Sequence, residues 1–465
     1  MTTASTTLSA RIAEIAGLQN VISDPAHLAA YEIGGKIPSA AVRPESAAHI
    51  AEIVRFAAAE KLATVPCGAR TKLGMGMPPR QYDLALDMTR LDRIVAYDPG
   101  DMTLSVEPGI PLRRIENALV EHRQFLPLIV PFMDRATAGG TIASGVDSPL
   151  RQFYGTARDY VLGIEFVTGD GTLTKSGGRV VKNVSGYDLH KLMIGALGTL
   201  GVLAKINLRT FPLPAATRAF VAAFDAAAGA IALRHAIARS PLRPLVVEIL
   251  SHGAAELTST APSYKPAWSL IASFAGNAEI LERCARDLHR MADQSGAAAV
   301  EPIREERLFV ASRRTCEFVP AALASSPGAA ILKLSVVPAN MLAILDAAAK
   351  AADAAGLPWA ALARGVGVIY LALLPPSRSE EALARVARAT NNIFAQCAAL
   401  DGNATIPWCP SEWKAALPVW GPERGDLGPM RALKKVFDPH GVLAPGRFMG
   451  GISARWPRNP ADFLR

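Results

Sequence analysis

The chain alternates between two hydrophobic periods, and the switches divide it. Within the first 38 residues, LSARIAEIAGL carries apolar positions at helical spacing, so a lead-in of one or two helices is expected. From Pro44, PESAAHIAEIVRFAAAEKL repeats that spacing, with Ser46 placed to cap the helix start. Period-2 runs then take over. ATVP reads as a short strand entering a loop that holds Gly68, Arg70, Thr71, Lys72, Gly74 and Gly76. LALDM, RIVAYD and TLSVEPG read as three further strands, and PLRRIENALVEH as a helix with Pro111 at its first turn. AGGTIASG (Ala138–Gly145) reads as a loop, VLGIEFVT as a strand, Gly169-Asp170-Gly171 as a turn and TLTK as the returning strand.

The stretch Gly177–Val202, GGRVVKNVSGYDLHKLMIGALGTLGV, changes period twice. VVKNV suits an extended run, YDLHKLMIG a helix with Tyr187 and Asp188 as core and cap residues, and GTLGVLAKINLRT a strand. Six glycines in 26 residues are too many for a plain helix or strand. They suit a place where a flat or anionic ligand meets bare backbone; a tight helix-to-strand connection with packing glycines is the plainer alternative. Pro212 and Pro214 mark a boundary. Beyond it LVVEILS, WSLIASFAG, AAILKLSVVP and GVGVIYLALLPP read as strands, interleaved with Ala-rich helices near 277–294, 339–355 and 378–398. The expected organisation is a lead-in over 1–41, a first domain over 42–213, an α+β unit with an antiparallel sheet over 214–430, and a closing segment over 431–465.

Composition removes several function classes. Of 465 residues, 50% are hydrophobic and 19% charged, which suits a globular chain with a large core. The net charge of +8 is scattered rather than striped and aromatics are only 6%, so nucleic acid is not an expected partner. Cys67, Cys284, Cys316, Cys397 and Cys409 lie far apart with no CxxC pair, which argues against a zinc ribbon, an iron–sulfur cluster or a disulfide framework and suits a reducing compartment. The N-terminus shows no apolar signal core, and no uncharged apolar run reaches membrane-spanning length. A cytoplasmic protein is expected, meeting a membrane only through partners.

Glycine-rich loops point to phosphate chemistry, because a pyrophosphate needs converging N–H groups with no side chains in the way. Pro66–Lys72 offers this, with Arg70 and Lys72 as charge partners, although taken alone it reads first as an ordinary strand-exit loop. Neither GxGxxG opening a helix nor GxxxxGK[ST] occurs, which excludes a Rossmann fold and a P-loop.

Three loops in order change that weighing. PCGARTK, AGGTIASG and GTLGV, with YGTARDYVLGIE between the last two, resemble the FAD-binding domain of the vanillyl-alcohol oxidase, or PCMH-type, family over about Val42 to Pro212. Within it, GGRVVKNVSGYDLHKLMIGALGTLGVL is most similar to the FAD-binding subunits of bacterial glycolate oxidases, and FDPHGVLAPGRF resembles the family's closing motif. The resemblance implies an α+β fold: a PCMH-type FAD-binding domain of two α/β subdomains, with an α+β cap. It implies that Pro66, Gly68, Ala69, Arg70, Thr71 and Lys72 wrap the FAD diphosphate. Gly139, Gly140, Thr141, Ala143, Ser144 and Gly145 would pass beneath the flavin and ribityl chain. Gly155 and Arg158-Asp159 would support the flavin side, a plain Arg–Asp ion pair being the other reading. Leu200, Gly201 and Val202 would lie near the adenine. Two departures stand out: Arg70 where the family has glycine, and Ala444 before Pro445-Gly446 where it has asparagine. Cys67 lacks the neighbours of a flavin-attachment site, so non-covalent FAD and a buried thiol are expected.

The resemblance further implies oxidation of a small 2-hydroxy acid, with electrons leaving through a second flavoprotein subunit and an iron–sulfur subunit. The catalytic side is thin. His27, His49, His122, His190, His235, His252, His289 and His440 form no HxH or HxxxH pair, so no metal is expected. Asn403 stands near the active site where glycolate oxidase subunits can carry histidine. No base for a hydroxyl proton is visible. Cations for a substrate carboxylate are Arg447, Lys333 and Arg364, although Lys333 also reads as a solvated sheet-face lysine. A non-catalytic or electron-relaying subunit is the alternative function, as is an oxidase of another alcohol or a sugar.

Overall fold

Ser46 caps the helix Ala47–Glu60 as the sequence predicts: its hydroxyl accepts from the His49 N–H at 3.1 Å. The structure is a computed structural model describing residues 3–179, 186–263, 265–304, 308–422 and 425–451. The helix crosses between Ala40–Val42 and Thr64–Cys67, which both pair parallel with Leu84–Asp87. Val21–Ile22 adds an antiparallel edge, giving a four-stranded sheet. The helix buries Ile50, Ile53 and Val54 against Leu84 and Leu86 of this sheet and against Val167 and Val202 of the next, so it is sandwiched between two sheets.

That second sheet has five antiparallel strands, in the order Ile94–Asp98, Thr103–Val106, Val202–Arg209, Val161–Val167, Leu173–Gly177. A third sheet of eight antiparallel strands contains every strand expected beyond residue 215, together with Thr217–Phe224, Ala299–Ile303, Trp359–Arg364 and Asn403–Trp408. One face carries Leu332, Leu334, Ile369 and Leu371 under the helices Ala227–Arg239, Ala278–Gln294, Met341–Ala354 and Glu380–Ala399. The opposite face carries Ile331, Leu362, Tyr370 and Trp408 into the core of the first lobe. Period 2 therefore turns Lys333 toward the first lobe as well.

The chain then returns to its beginning. Leu443 bridges Thr64 in parallel, with the Thr64 N–H on Val442 O and the Ala444 N–H on Thr64 O, both at 2.8 Å. Lys434, fully buried, anchors the return by donating to Thr199 O at 2.7 Å, Leu443 O at 2.8 Å and Asp438 Oδ2 at 2.5 Å.

Three local expectations change. AGGTIASG is a short helix, Ala138–Ser144, rather than a loop, capped by Thr137 and ended by Gly145 at φ 62°. Its glycines serve close packing, since a Cβ on Gly139 would fall 2.6 Å from Pro108. Of YDLHKLMIG only His190–Met193 is helical, and Gly195, at φ 81°, follows its end. Tyr187 is 89% exposed rather than in the core. The expected VVKNV run lies outside the described residues.

Candidate active site

Two clefts meet at Ser144 and Leu197, which line both. The first, about 750 Å³, runs between the loop from Pro66 to Leu73, the helix Ala138–Ser144 and the turn at Gly198 and Gly201. The strand Thr64–Cys67 delivers the loop to the end of a parallel sheet, where backbone is free of ladder pairing. The N–H groups of Ala69, Arg70, Thr71 and Lys72 find no acceptor among the described residues. Gly68 lets the loop touch the helix cap, for a Cβ there would sit 2.1 Å from Thr137 Oγ1. Arg70 occupies φ 63°, a left-handed position that favours glycine, so the family's usual residue is explained by the backbone. Its guanidinium turns to Asp87 at 3.2 Å and lies 4.6 Å over the Tyr31 ring.

The loop's next four carbonyls are gripped by two buried cations. Arg447 Nη2 donates to Leu73 O and Met75 O, both at 2.7 Å. Lys414 Nζ donates to Gly74 O at 2.5 Å and Gly76 O at 2.6 Å. Arg447 lines the first cleft and keeps two unused groups, Nε and Nη1, buried without an acceptor among the described residues. A buried donor of this kind calls for an anion or carbonyl. Burial lowers Arg447 to about 10 and Lys414 to about 8. Lys72 also falls to about 8, lowered by burial and partly restored by Glu317, and among the described residues its ammonium meets only Thr71 Oγ1, at 3.3 Å.

The second cleft lies where the eight-stranded sheet faces the first lobe. Register sets Tyr370, Lys333 and Thr405 side by side across three strands, and all three line it. Trp408 and Trp420 add apolar wall, and Gly145 and Gly195 form the side shared with the first lobe. Lys333 makes no hydrogen bond among the described residues; its Nζ stands 5.9 Å from the Tyr370 ring centroid. Behind Tyr370 lies a buried ionic network. Tyr370 donates to Asp147; Arg364 reaches Asp147 at 3.3 Å and Glu248 at 2.7 Å; Arg151 reaches Asp147 at 2.8 Å. Burial would raise Asp147, but Arg364, Lys333 and Arg151 hold it well below the carboxylate range. Burial raises Glu248.

The sequence-predicted residues distribute unevenly over these clefts. Pro66, Gly68, Ala69, Arg70, Thr71, Lys72, Gly139, Gly140, Ala143, Ser144, Gly201 and Arg447 line the first; Ser144, Gly145 and Lys333 line the second. Arg364 is committed to two carboxylates. Thr141 points into the core and Val202 packs between sheets. Leu200 packs against the first-lobe core. Arg158 donates to Lys191 O at 2.9 Å while Asp159 closes a capping box on Thr156, so the two form no ion pair; neither they nor Gly155 line either cleft. Asn403 is exposed at a strand start, two residues before Thr405. Sequence reasoning missed Leu197, Tyr370, Lys414, Trp408 and Trp420. Tyr370 was readable, since it alternates with Ile369 and Leu371; Lys414 and Trp420 sit in a stretch with no period. Among the described residues no group of three His, Cys, Asp or Glu is placed to hold a metal, and no helix is long and apolar enough to cross a membrane.

Comparison with known proteins fits this geometry. A profile described as FAD binding domain matches residues 38–177, and one described as FAD linked oxidases, C-terminal domain, matches 213–406 and 420–448. Glycolate oxidase subunit GlcD of Bacillus subtilis is 27% identical over 421 residues, 88% of this chain and 89% of that protein. Glycolate oxidase subunit GlcE of Escherichia coli is 40% identical over 167 residues, 36% of this chain and 47% of that one. D-2-hydroxyglutarate dehydrogenase of Xanthomonas citri is 36% identical over 178 residues, 38% of each chain. Among solved structures, p-cresol methylhydroxylase with substrate bound superposes with a TM-score of 0.79 at 18% identity, covering 97% of this chain and 98% of that one. The expected PCMH-type α+β fold is thereby borne out.

Proposed function

The chain belongs to the PCMH-type family of FAD-linked oxidases, an FAD-binding oxidoreductase, and we propose that it oxidises a small 2-hydroxy acid and passes the electrons to a partner subunit. The observation that carries this reading is Lys333, a cation without a hydrogen-bond partner among the described residues, in a cleft that joins the first cleft at Ser144 and Leu197.

The first cleft suits FAD. The free N–H groups at Ala69–Lys72 and the Lys72 ammonium would take the diphosphate, and the orphaned Arg447 donors a cofactor oxygen. Burial pushes the Cys67 thiol far up, which leaves no thiolate for attachment and favours non-covalent FAD. Bound there, FAD supplies the two-electron acceptor for a hydride leaving the carbon that bears the hydroxyl. Lys333 would hold the substrate carboxylate, while Arg364 and Arg151 take up Asp147 and Arg364 takes up Glu248. Gly145 and Gly195 would let substrate approach the cofactor without a side chain between them.

A base is the missing part. No histidine or carboxylate lines the second cleft among the described residues, and Asp147 is too acidic to take a hydroxyl proton. This favours a second reading, an electron-relaying subunit beside a catalytic paralogue. Dye reduction by the FAD-loaded chain alone, and co-expressed with a second flavoprotein and an iron–sulfur protein, separates the two. The first reading expects slow anaerobic flavin bleaching by a 2-hydroxy acid in the isolated chain and a strong rise in the complex. Absence of any bleaching in the isolated chain would leave the relay reading.

A further inference from the structure

We propose that the second cleft selects a monocarboxylic 2-hydroxy acid with an apolar, preferably aromatic, side chain over glycolate and over dicarboxylates. The inference rests on the reading above and assigns its substrate class. Charge is the first argument. Asp147 and Glu248 are opposed by Arg364 and Arg151, which leaves Lys333 as the surplus cation of the group and, among the described residues, the only charged side chain lining the cleft. One carboxylate can be met there; a second would be desolvated without a partner. The second argument is the number of donors. Trp420 lines the same cleft, and its Nε1–H is buried with no acceptor among the described residues. The cleft thus offers two donors, the Lys333 ammonium and that indole N–H, that can meet carboxylate oxygens. The third argument is the wall. Met75, Val146, Ile406, Pro407, Trp408 and Trp420 present apolar surface in a cleft of about 550 Å³. Glycolate, with no side chain, would leave that surface wet, whereas a phenyl or branched alkyl group would cover it.

The test is equilibrium binding, read as perturbation of the flavin absorbance of the FAD-loaded protein by three acids that lack a hydroxyl and are not oxidised. Phenylacetate should bind at least tenfold tighter than acetate, and glutarate no tighter than acetate. Lys333→Gln should weaken phenylacetate at least tenfold with FAD content unchanged. Trp420→Phe, which keeps a ring but removes the N–H, should weaken phenylacetate and acetate by a similar few-fold factor. Equal binding of acetate and phenylacetate, tighter binding of glutarate, an unaffected Lys333→Gln, or no perturbation by any acid overturns the proposal. Flavin reduction by mandelate, 3-phenyllactate, D-lactate and glycolate distinguishes the two levels. Reduction by glycolate as fast as by mandelate leaves the 2-hydroxy-acid reading standing and ends this one. Tight phenylacetate with no reduction by any hydroxy acid does the reverse.

Discussion

At the residue scale, buried charge governs this molecule. Arg364 answers two carboxylates in the interior, and removing one member of such a set leaves the others unpaired. Arg364→Met should destabilise the protein by about 3–5 kcal/mol, measured by denaturant unfolding, because Glu248 then loses its ion-pair partner in the interior while Asp147 is left to Arg151. Lys72 makes a prediction about pH. Burial lowers it to about 8 in the folded chain, against an ordinary value of 10.5. The unfolded chain therefore holds the proton over a window where the folded one has released it, and this residue's contribution makes stability rise between about pH 8 and 10.5. With the diphosphate in the proposed place beside Lys72, the protonated form would be favoured, so FAD affinity should move the other way: level below about pH 8, then falling up to about tenfold per unit above it. Lys72→Gln should flatten most of that slope, the remainder reporting Lys414. A fluorescence titration of FAD from pH 6 to 10 measures both. Ala444, at φ 44°, is strained where the family carries asparagine, a residue more tolerant of that region, so the departure costs backbone energy.

At the element scale, the short helix Ala138–Ser144 separates two kinds of glycine. A Cβ on Gly139 would collide with Pro108 at 2.6 Å, whereas one on Gly140 would meet only Thr137 Oγ1 at 3.1 Å and otherwise enter the first cleft. Gly139→Ala should therefore lower the melting temperature of the cofactor-free protein. Gly140→Val should leave it within a few degrees while abolishing FAD retention on gel filtration; full flavin occupancy in that variant would place the cofactor elsewhere. The sequence made the long elements legible. Ser46 and the apolar rows of Ala47–Glu60 or Glu380–Ala399 sufficed, because amphipathic period survives without tertiary information. The helix at Ala138 was not legible, since two glycines argue against helix and only the close approach to Pro108 makes them an asset. The strands Trp359–Arg364 and Asn403–Trp408 were hidden for another reason: one carries a charged residue in the interior, the other a proline. Site residues on glycine loops could be placed by motif, but Tyr370, Trp408 and Trp420 gather only through strand pairing across distant segments.

At the scale of the whole molecule, the eight-stranded sheet works with two faces. One is roofed by helices and supplies most of a core; the other closes against the cofactor lobe and places Lys333 and Tyr370 there. The first sheet is joined by Leu443 beside Thr64, about 380 positions later in the chain. That closure sets an order of events during synthesis. While the ribosome is still making the cap, Thr64–Cys67 lacks its neighbour and the loop at Leu73–Met75 lacks the Arg447 that holds its carbonyls. A nascent chain thus carries the proposed nucleotide loop without the contacts that hold it, and flavin capture should wait until residues near 447 have left the exit tunnel. A chain stopped after residue 433 should fail to retain FAD even with the whole cofactor loop and cap present. In a timed cell-free translation, quenching of FAD fluorescence should track release of full-length product rather than emergence of the first lobe.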